Sequence, residues 1–269
     1  MNRKIAVIGV GNMAKAIVNG MISANISVDG FFLYDKNPVA CKDYTDSTIF
    51  TLCDNIADAV NSADCVLLSV KPQNYPEVLA EISALPSFAD KLYISIAAGI
   101  TSESVSKALD NAVVIRVLPN LPMTIGKGVS AICSNESASK NDFEFLESIF
   151  ASAGSTIVID EREMNRIIGV TSSSPAYVFK FIDAICKGAA AQGLDETKLL
   201  DAVCDMVIGS ALLLKNSGDT PANLISKVAS KGGTTEQALI KLDDGGFETT
   251  IENAMKACTL RADELGKNK

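Results

Sequence analysis

A chain of 269 residues is long enough for one large domain or two ordinary ones. Hydrophobic residues make up 48% and charged residues 21% of it, as in globular proteins, and the net charge of −8 disfavours nucleic acid and anionic membranes as partners. Because the sequence contains no histidine, Ser-His-Asp hydrolysis, histidine proton transfer and histidine-ligated metals are excluded, and we expect no metal site.

The seven cysteines are widely spaced and form no C-x-x-C pair. They indicate small core residues of a reducing compartment rather than a disulfide framework or a zinc site. The apolar run at the N-terminus is interrupted too early by glycine, asparagine and lysine for a signal peptide, and no later stretch is long enough to span a bilayer. We therefore expect a cytoplasmic protein that does not enter a membrane.

The first predicted strand, residues 4–9, leads into a glycine turn and a helix that begins near Asn12. The turn, residues 9–14, matches G-x-G-x-x-[G/A]. Gly9 suits the tight turn, Gly11 lets a pyrophosphate approach the backbone, and Ala14 lets the helix pack on the strand. The strand–turn–helix pattern favours a dinucleotide site over an ordinary βαβ turn.

The second strand, FFLYD, ends at Asp35, roughly 20 residues beyond the glycine turn, where an acid would bind the ribose hydroxyls. A carboxylate there favours NAD(H), because it repels a 2′-phosphate. Lys36 and Asn37 follow directly and could instead hold that phosphate. The sequence leaves NADPH and NADH open.

The alternation of strands and helices continues and predicts a doubly wound parallel sheet whose ligand lies beyond the carboxyl ends of the strands. Arg116 lies within a strand, and we interpret it as a structural ion pair rather than a substrate contact. The further predicted strands are 47–52, 64–70, 91–97, 112–118, 128–133 and 155–160, and the further helices are 54–62, 74–84, one from Ser102, and 140–151.

After Glu163 the strand signals stop, and the remaining residues are predicted to be helical. We expect a Rossmann-like domain at 1–162 and an all-α domain at 163–269. In the helix that starts near Pro175, Lys180, Asp183 and Lys187 form one narrow polar stripe on an otherwise apolar helix. Because such helices must be covered on most sides, we expect a homodimer.

The segment at 228–239, VASKGGTTEQAL, predicts a glycine turn followed by a helix start. Thr234 and Gln237 fit the capping-box pattern. The unpaired N–H groups of the new helix would form a site for a small anion, and Ser230, Thr234 and Thr235 add hydroxyls.

Seven motifs in order resemble Δ1-pyrroline-5-carboxylate reductase over nearly the whole chain: IGVGNMAKAI (8–17), DN (54–55), SVKPQ (69–73), SIAAGI (95–100), RVLPNLP (116–122), SSPAYVF (173–179) and SKGGTT (230–235). The resemblance implies a Rossmann domain, a helical dimerisation domain, sometimes a decamer of five dimers, and NAD(P)H-dependent reduction of pyrroline-5-carboxylate to proline.

By position, the resemblance also implies the site residues. Thr235 matches the threonine that hydrogen-bonds the imine nitrogen, and Lys231, Ser172 and Ser174 depart from the family pattern. The implied substrate residues are Ser230, Gly232, Gly233, Thr234 and Thr235. The implied cofactor residues are Gly9, Gly11, Asn12, Met13, Asn55, Val70, Lys71, Pro72, Ala97 and Ala98, beside Asp35 and Lys36 from the ribose argument.

Two alternatives stay open. A related imine or β-hydroxyacid reductase would share the architecture, and the latter would need a catalytic lysine, for which Lys180 and Lys187 are the candidates. A regulator that binds a dinucleotide without catalysis would also keep the fold. The intact GGTT loop disfavours the regulator, whereas the Lys231 departure keeps this alternative open.

Overall fold

The computed structural model describes residues 3–44, 48–135 and 137–267. By contacts the chain divides into two compact units, one formed by the residues up to Ser173 together with those from Met255 onward, the other by Ser174–Ala254. This differs from the division expected between residues 162 and 163. The reason is packing: Met164 and Ala262, although helical, lie in one buried cluster with the sheet residue Leu118.

Eight strands form one sheet in the described part of the first unit, in the order β3-β2-β1-β4-β5-β6-β7-β8. Adjacent strands are parallel except β6 and β7, which are antiparallel. The strands are β1 (Arg3–Ile8), β2 (Val28–Tyr34), β3 (Phe50–Leu52), β4 (Cys65–Leu68), β5 (Leu92–Ser95), β6 (Val113–Leu118), β7 (Gly128–Ser134) and β8 (Gly154–Val158).

The predicted doubly wound sheet is thus confirmed, and the one antiparallel pair has a local cause. The connection between Leu118 and Gly128 holds only a short 3-10 helix, Leu121–Ile125, that ends at Gly126 with φ of +69°. A parallel crossover needs a dozen or more residues. The short connection therefore returns the chain in the opposite direction.

The helices are α1 (Asn12–Ser23), α2 (Ile56–Asn61), α3 (Tyr75–Ser83), α4 (Ser102–Ala108), α5 (Lys140–Ala151), α6 (Met164–Ile167), α7 (Ser174–Ala191), α8 (Glu196–Ser217), α9 (Pro221–Val228), α10 (Thr234–Asp244) and α11 (Phe247–Lys267). A π-helical turn, Ile168–Ser172, follows α6. The observed elements agree with the predicted ones to within a few residues at their ends, apart from residue 47 of the predicted third strand, which lies outside the described residues.

The sheet is covered on both faces, because alternate strand residues point in opposite directions. Along β1, Ile5 and Val7 join the core cluster that contains Ile17 of α1 and residues of α5. Ala6 and Ile8 join the opposite cluster, with residues of α2, α3 and α4. Both faces of β1 are therefore buried, which explains its continuous apolar sequence.

The second unit contains α7 to α10 and the first residues of α11. The predicted polar stripe on α7 is present, with Lys187 paired to Asp183 at 2.6 Å. Large apolar side chains are exposed on these helices, among them Val178, Phe179, Phe181, Met206, Ile208, Leu212 and Leu213. Across the described residues, no helix combines the length and apolar character needed to cross a bilayer.

Candidate active site

The centre of the sheet provides the crevice that the sequence predicts. Strands β1 and β4 are neighbours, yet α1 packs on one face of the sheet and α3 on the other. This divergence is the switch point at which open α/β sheets bind ligands, beyond the carboxyl ends of the strands. Gly9 follows β1 there, and Ser69 follows β4.

The backbone at Gly9 admits only glycine. Its φ is +93°, and a Cβ atom built on it would lie 3.0 Å from Cγ1 and from the backbone nitrogen of Val70. The Gly9 N–H donates to the carbonyl of Tyr34 at 2.8 Å. The Ser69 hydroxyl lies within hydrogen-bond distance of the carbonyls of Ile8 and Gly9. The turn is therefore pressed against the end of β4, as its predicted role requires.

Gly11, by contrast, faces open space. It precedes α1 with extended backbone, φ −78° and ψ −179°, and a Cβ atom added there would meet nothing within 4 Å. The first N–H groups of α1 have no acceptor within the helix and carry its positive dipole end. A pyrophosphate fits here, because the backbone is bare and donors point outward.

Asp35 lies beside the glycine turn and is held by two backbone donors. Its Oδ2 accepts from the Val10 N–H at 2.7 Å, and its Oδ1 accepts from the Asn37 N–H at 2.8 Å. The carboxylate thus connects the end of β2 to the turn after β1. Each oxygen keeps a second lone pair that can accept a ribose hydroxyl.

These residues line one cavity of about 420 Å³, the dinucleotide crevice. The expected cofactor residues that line it are Gly9, Gly11, Asp35, Lys36, Val70 and Lys71. The other lining residues are Ile8, Tyr34, Ile56, Ser69, Asn74, Glu77, Val78 and Glu81. None of them is among the expected cofactor residues, although Ile8 and Ser69 lie within the motifs at 8–17 and 69–73. The only sequence feature that marks Glu77 and Glu81 is their spacing: they are acidic residues four positions apart on α3, the helix that follows SVKPQ.

The remaining expected cofactor residues are Asn12, Met13, Asn55, Pro72, Ala97 and Ala98. They lie outside the lining of this crevice and stay predictions. Asn12 lines a separate cavity. Asn55 caps α2, with its Oδ1 accepting from the Asp58 N–H at 2.8 Å. Within the described ranges, no group of three or more Cys, Asp and Glu side chains is arranged to hold a metal ion.

Tyr75 lies in the core next to the end of β4. Its hydroxyl donates to the carbonyl of Leu68 at 2.8 Å and lies 2.9 Å from the hydroxyl of Ser95. Burial raises the pKa of the Tyr75 hydroxyl above its ordinary value. The hydrogen bond from Tyr75 holds Leu68, the last residue of β4, in position directly before Ser69.

The expected substrate loop lies in the second unit, and one detail of it differs from the prediction. Helix α10 begins at Thr234, with Gly233 rather than Thr234 in the capping position. Glu236, not Gln237, is the third residue of the helix, and its Oε2 accepts from the Gly232 N–H at 2.7 Å. The predicted capping box of Thr234 and Gln237 is therefore wrong by one residue.

The loop still presents the expected donors. No side chain in the described structure caps the first turn of α10, and its leading N–H groups lack acceptors within the helix. The Gly233 position favours glycine, because a Cβ atom there would lie 2.9 Å from the backbone carbonyl oxygen of Ser230 as well as 2.6 Å from its hydroxyl. The turn is closed by the Gly233 N–H, which donates to the Ser230 carbonyl at 2.9 Å. These features suit a small carboxylate.

Comparison with known proteins identifies the family. The chain is 34% identical over 267 residues to a pyrroline-5-carboxylate reductase of Haemophilus influenzae, covering 98% of both chains. It is 32% identical to that of Escherichia coli over the full length of both. The chain belongs to the pyrroline-5-carboxylate reductase family. The family, the fold and the class of NAD(P)-dependent oxidoreductase are thus confirmed.

Family models and solved structures agree with this assignment. Residues 161–265 match a model described as pyrroline-5-carboxylate reductase dimerisation, and residues 4–99 match one described as NADP oxidoreductase, coenzyme F420-dependent. The structure of a Plasmodium falciparum pyrroline carboxylate reductase with NADP bound aligns with a TM-score of 0.89 at 26% identity, over 98% of both chains. The Streptococcus pyogenes 1-pyrroline-5-carboxylate reductase aligns with a TM-score of 0.89 at 28% identity, over 98% of this chain and 99% of the other.

Arg116 of this reductase-family chain is structural, as the sequence indicates. Its side chain is only 1% exposed and pairs through Nη1 with Oε1 of Glu161 at 2.6 Å. Nη2 donates to Asn165 at 2.8 Å, and Asn165 in turn donates to Asp263 of α11 at 2.8 Å. This part-buried network therefore joins the sheet to the last helix of the chain.

Proposed function

We propose that this chain catalyses the NAD(P)H-dependent reduction of Δ1-pyrroline-5-carboxylate to L-proline, the last step of proline biosynthesis. The observation that carries the proposal is the full-length similarity to pyrroline-5-carboxylate reductases at 34% identity. It is supported by two local structures of the right chemistry: a glycine-turn crevice for a dinucleotide and a helix start for a carboxylate.

The substrate loop has the groups that the reaction needs. The substrate carboxylate would accept hydrogen bonds from the backbone N–H groups of Thr234 and Thr235 at the start of α10. Thr235, half-buried at the second position of α10, would orient the ring nitrogen, and its hydroxyl or a water would supply the proton taken up as the amine forms. When bound, the reduced nicotinamide would supply a hydride to the imine carbon, which is C2 of the pyrroline ring and becomes Cδ of the proline product. No strong base is required, which suits a chain without histidine.

The crevice residues would hold the cofactor without taking part in proton transfer. Gly9 and Gly11 let the pyrophosphate reach the first turn of α1, and Asp35 lies where the adenosine ribose is bound in folds of this type. Holding the two reactants in a fixed orientation contributes much of the rate acceleration. A β-hydroxyacid reductase would instead need a catalytic lysine, and both candidates, Lys180 and Lys187, lie on the exposed polar stripe of α7, where Lys187 pairs with Asp183.

The assembly proposed for this chain is a homodimer, with a decamer as the larger expected form. Exposed apolar side chains such as Phe179, Phe181 and Ile208 need cover, and the family model that matches residues 161–265 is described as a dimerisation domain. The seven cysteines form no disulfide, and a cytoplasmic location fits thiols that stay reduced. Light scattering coupled to gel filtration measures the assembly; a stable monomer would refute the dimer.

Nicotinamide absorbance tests the activity. With pyrroline-5-carboxylate present, folded protein should oxidise NADH or NADPH, and Thr235→Ala should lower kcat by about 100-fold while the dissociation constant of the cofactor stays unchanged. Thr235→Ser, which keeps the hydroxyl, is the matched control and should retain most of the activity. Cofactor binding without turnover of any cyclic imine would favour the non-catalytic regulator. Wild-type kcat in Thr235→Ala would remove the role given to Thr235.

A further inference from the structure

The charges of the dinucleotide crevice bear on a choice that the sequence leaves open. We propose that Asp35 makes this chain select a dinucleotide without a 2′-phosphate, so that NADH is preferred to NADPH. The proposal rests on the proposed function only in requiring that a nicotinamide dinucleotide is bound. The Plasmodium falciparum relative was solved with NADP bound. The proposal therefore applies to this chain and its own residues, not to the relatives.

The first support is that the carboxylate of Asp35 cannot turn away. Its two oxygens accept from the Val10 and Asn37 N–H groups at 2.7 and 2.8 Å, and both donors belong to the backbone of turns that shape the crevice. A side chain tied at both oxygens keeps its position when a ligand enters. Its remaining lone pairs suit ribose hydroxyls, which donate, and oppose a phosphate, which only accepts.

The second support is the set of charges around Asp35. Three carboxylates, those of Asp35, Glu77 and Glu81, line the crevice together with two lysines, Lys36 and Lys71. Lys36, which follows Asp35 in the chain, has its Nζ 3.9 Å from Oε1 of Glu77 and a side chain that is 88% exposed, so its charge is solvated and lies beside a carboxylate. None of the described lining residues is an arginine, although an arginine commonly accommodates the phosphate of NADP.

The expected discrimination follows from like charges in contact. A phosphate monoester carries about two negative charges at neutral pH. Placed within about 4 Å of a carboxylate that cannot move, even in the high dielectric of an open crevice, it should bind at least about tenfold more weakly than a hydroxyl pair in the same place. Lys36 lowers this penalty little, because it is solvated and shared with Glu77.

Binding of two redox-inactive fragments tests the proposal without catalysis. Calorimetry on the full chain should show that ADP-ribose binds at least about tenfold tighter than ADP-ribose carrying a 2′-phosphate on its adenosine ribose. Asp35→Ser should bring the ratio of the two dissociation constants to within about twofold of unity. The ratio is the proper readout, because loss of the ties to Val10 and Asn37 weakens both ligands alike.

Two further variants keep the test decisive. Lys36→Ala removes a positive charge from the crevice lining but should change the ratio by no more than about twofold, since an exposed and solvated charge contributes little. Asp35→Asn keeps one oxygen that can accept a hydrogen bond from the backbone, and it should lower the ratio as Asp35→Ser does. If the serine variant fails to fold, the asparagine variant provides the same test. Equal or tighter binding of the phosphorylated fragment by the wild-type protein would overturn the proposal, as would a selective loss of that fragment in Lys36→Ala.

The outcome is separable from that of the proposed function. Preference for ADP-ribose without imine turnover would uphold the selectivity and refute the reductase. Imine turnover with no preference between the fragments would uphold the reductase and refute the role of Asp35.

Discussion

The two glycines of the dinucleotide turn should respond to the same substitution in opposite ways. In Gly9→Ala the new Cβ would lie 3.0 Å from three atoms of Ser69 and Val70, at a φ of +93°. A non-glycine residue in this region costs about 1–2 kcal/mol, and the crowding adds to it. We expect about 2 kcal/mol of lost folding free energy and a Tm lowered by roughly 4–8 °C, with weaker dinucleotide binding as a consequence.

Gly11→Ala is the matched control, because the added Cβ meets nothing within 4 Å. The variant should unfold at the wild-type Tm, yet it should bind ADP-ribose more weakly, since the methyl group occupies the space of the pyrophosphate. Calorimetric melting of the ligand-free proteins and titration with ADP-ribose measure the two effects separately. A Gly9→Ala protein as stable as wild type, or a Gly11→Ala protein with unchanged affinity, would refute this account of the turn.

Three further predictions concern the substrate loop and the packing around the sheet. Glu236→Ala should raise KM for the imine more than it changes kcat. The Gly232 N–H loses the acceptor that lies 2.7 Å away, and the loop becomes less ordered. Glu236→Gln, whose side-chain oxygen can still accept this hydrogen bond, should change KM little. Glu161→Gln should cost about 3 kcal/mol of unfolding free energy in urea melts, because Arg116 becomes a buried charge without an anionic partner; an unchanged midpoint would contradict this. Burial tends to raise the pKa of Asp142, but hydrogen bonds from Ser139 and Arg3 outweigh it, and the pKa is lowered. The contribution of Asp142 to the free energy of unfolding is therefore complete above its pKa in the unfolded chain, about 3.9, and is lost as the pH falls through its lower pKa in the folded protein. Asp142→Asn should lose about 1 kcal/mol at pH 7 and converge with wild type at low pH.

Most elements of the sheet could be predicted from local sequence, because fully buried parallel strands are continuous apolar runs separated by helical segments. β4 and β5 are examples, being buried at every position. The antiparallel pairing of β6 and β7 is not encoded in that pattern. It depends on the short connection after Leu118 and on the partner that the chain reaches through it.

The site could be predicted in part, for a related reason. Gly9, Gly11 and Asp35 follow a short-range spacing rule, and the structure brings them together. Glu77 and Glu81 line the same crevice but belong to α3, which lies some 65 residues beyond the glycine turn by rough count. Only the order of the strands in the sheet brings α3 beside β1. The capping error in the substrate loop has another cause. The sequence fits a helix capped by Thr234 with Gln237 three residues later, but the extended backbone at Gly233 makes Gly233 the capping residue and Glu236 the third residue of the helix.

By itself the sequence determined the alternation of strands and helices, the glycine turn, the acid that follows β2 and the helix start of the substrate loop, because each depends on neighbours within a few turns of chain. Only the tertiary structure decided which side chains share a crevice, that both oxygens of Asp35 are held by backbone donors, and that α6 and the end of α11 pack with the sheet. These are contacts between distant segments. Their free energy depends on distance and burial in three dimensions, which residue spacing along the chain does not specify.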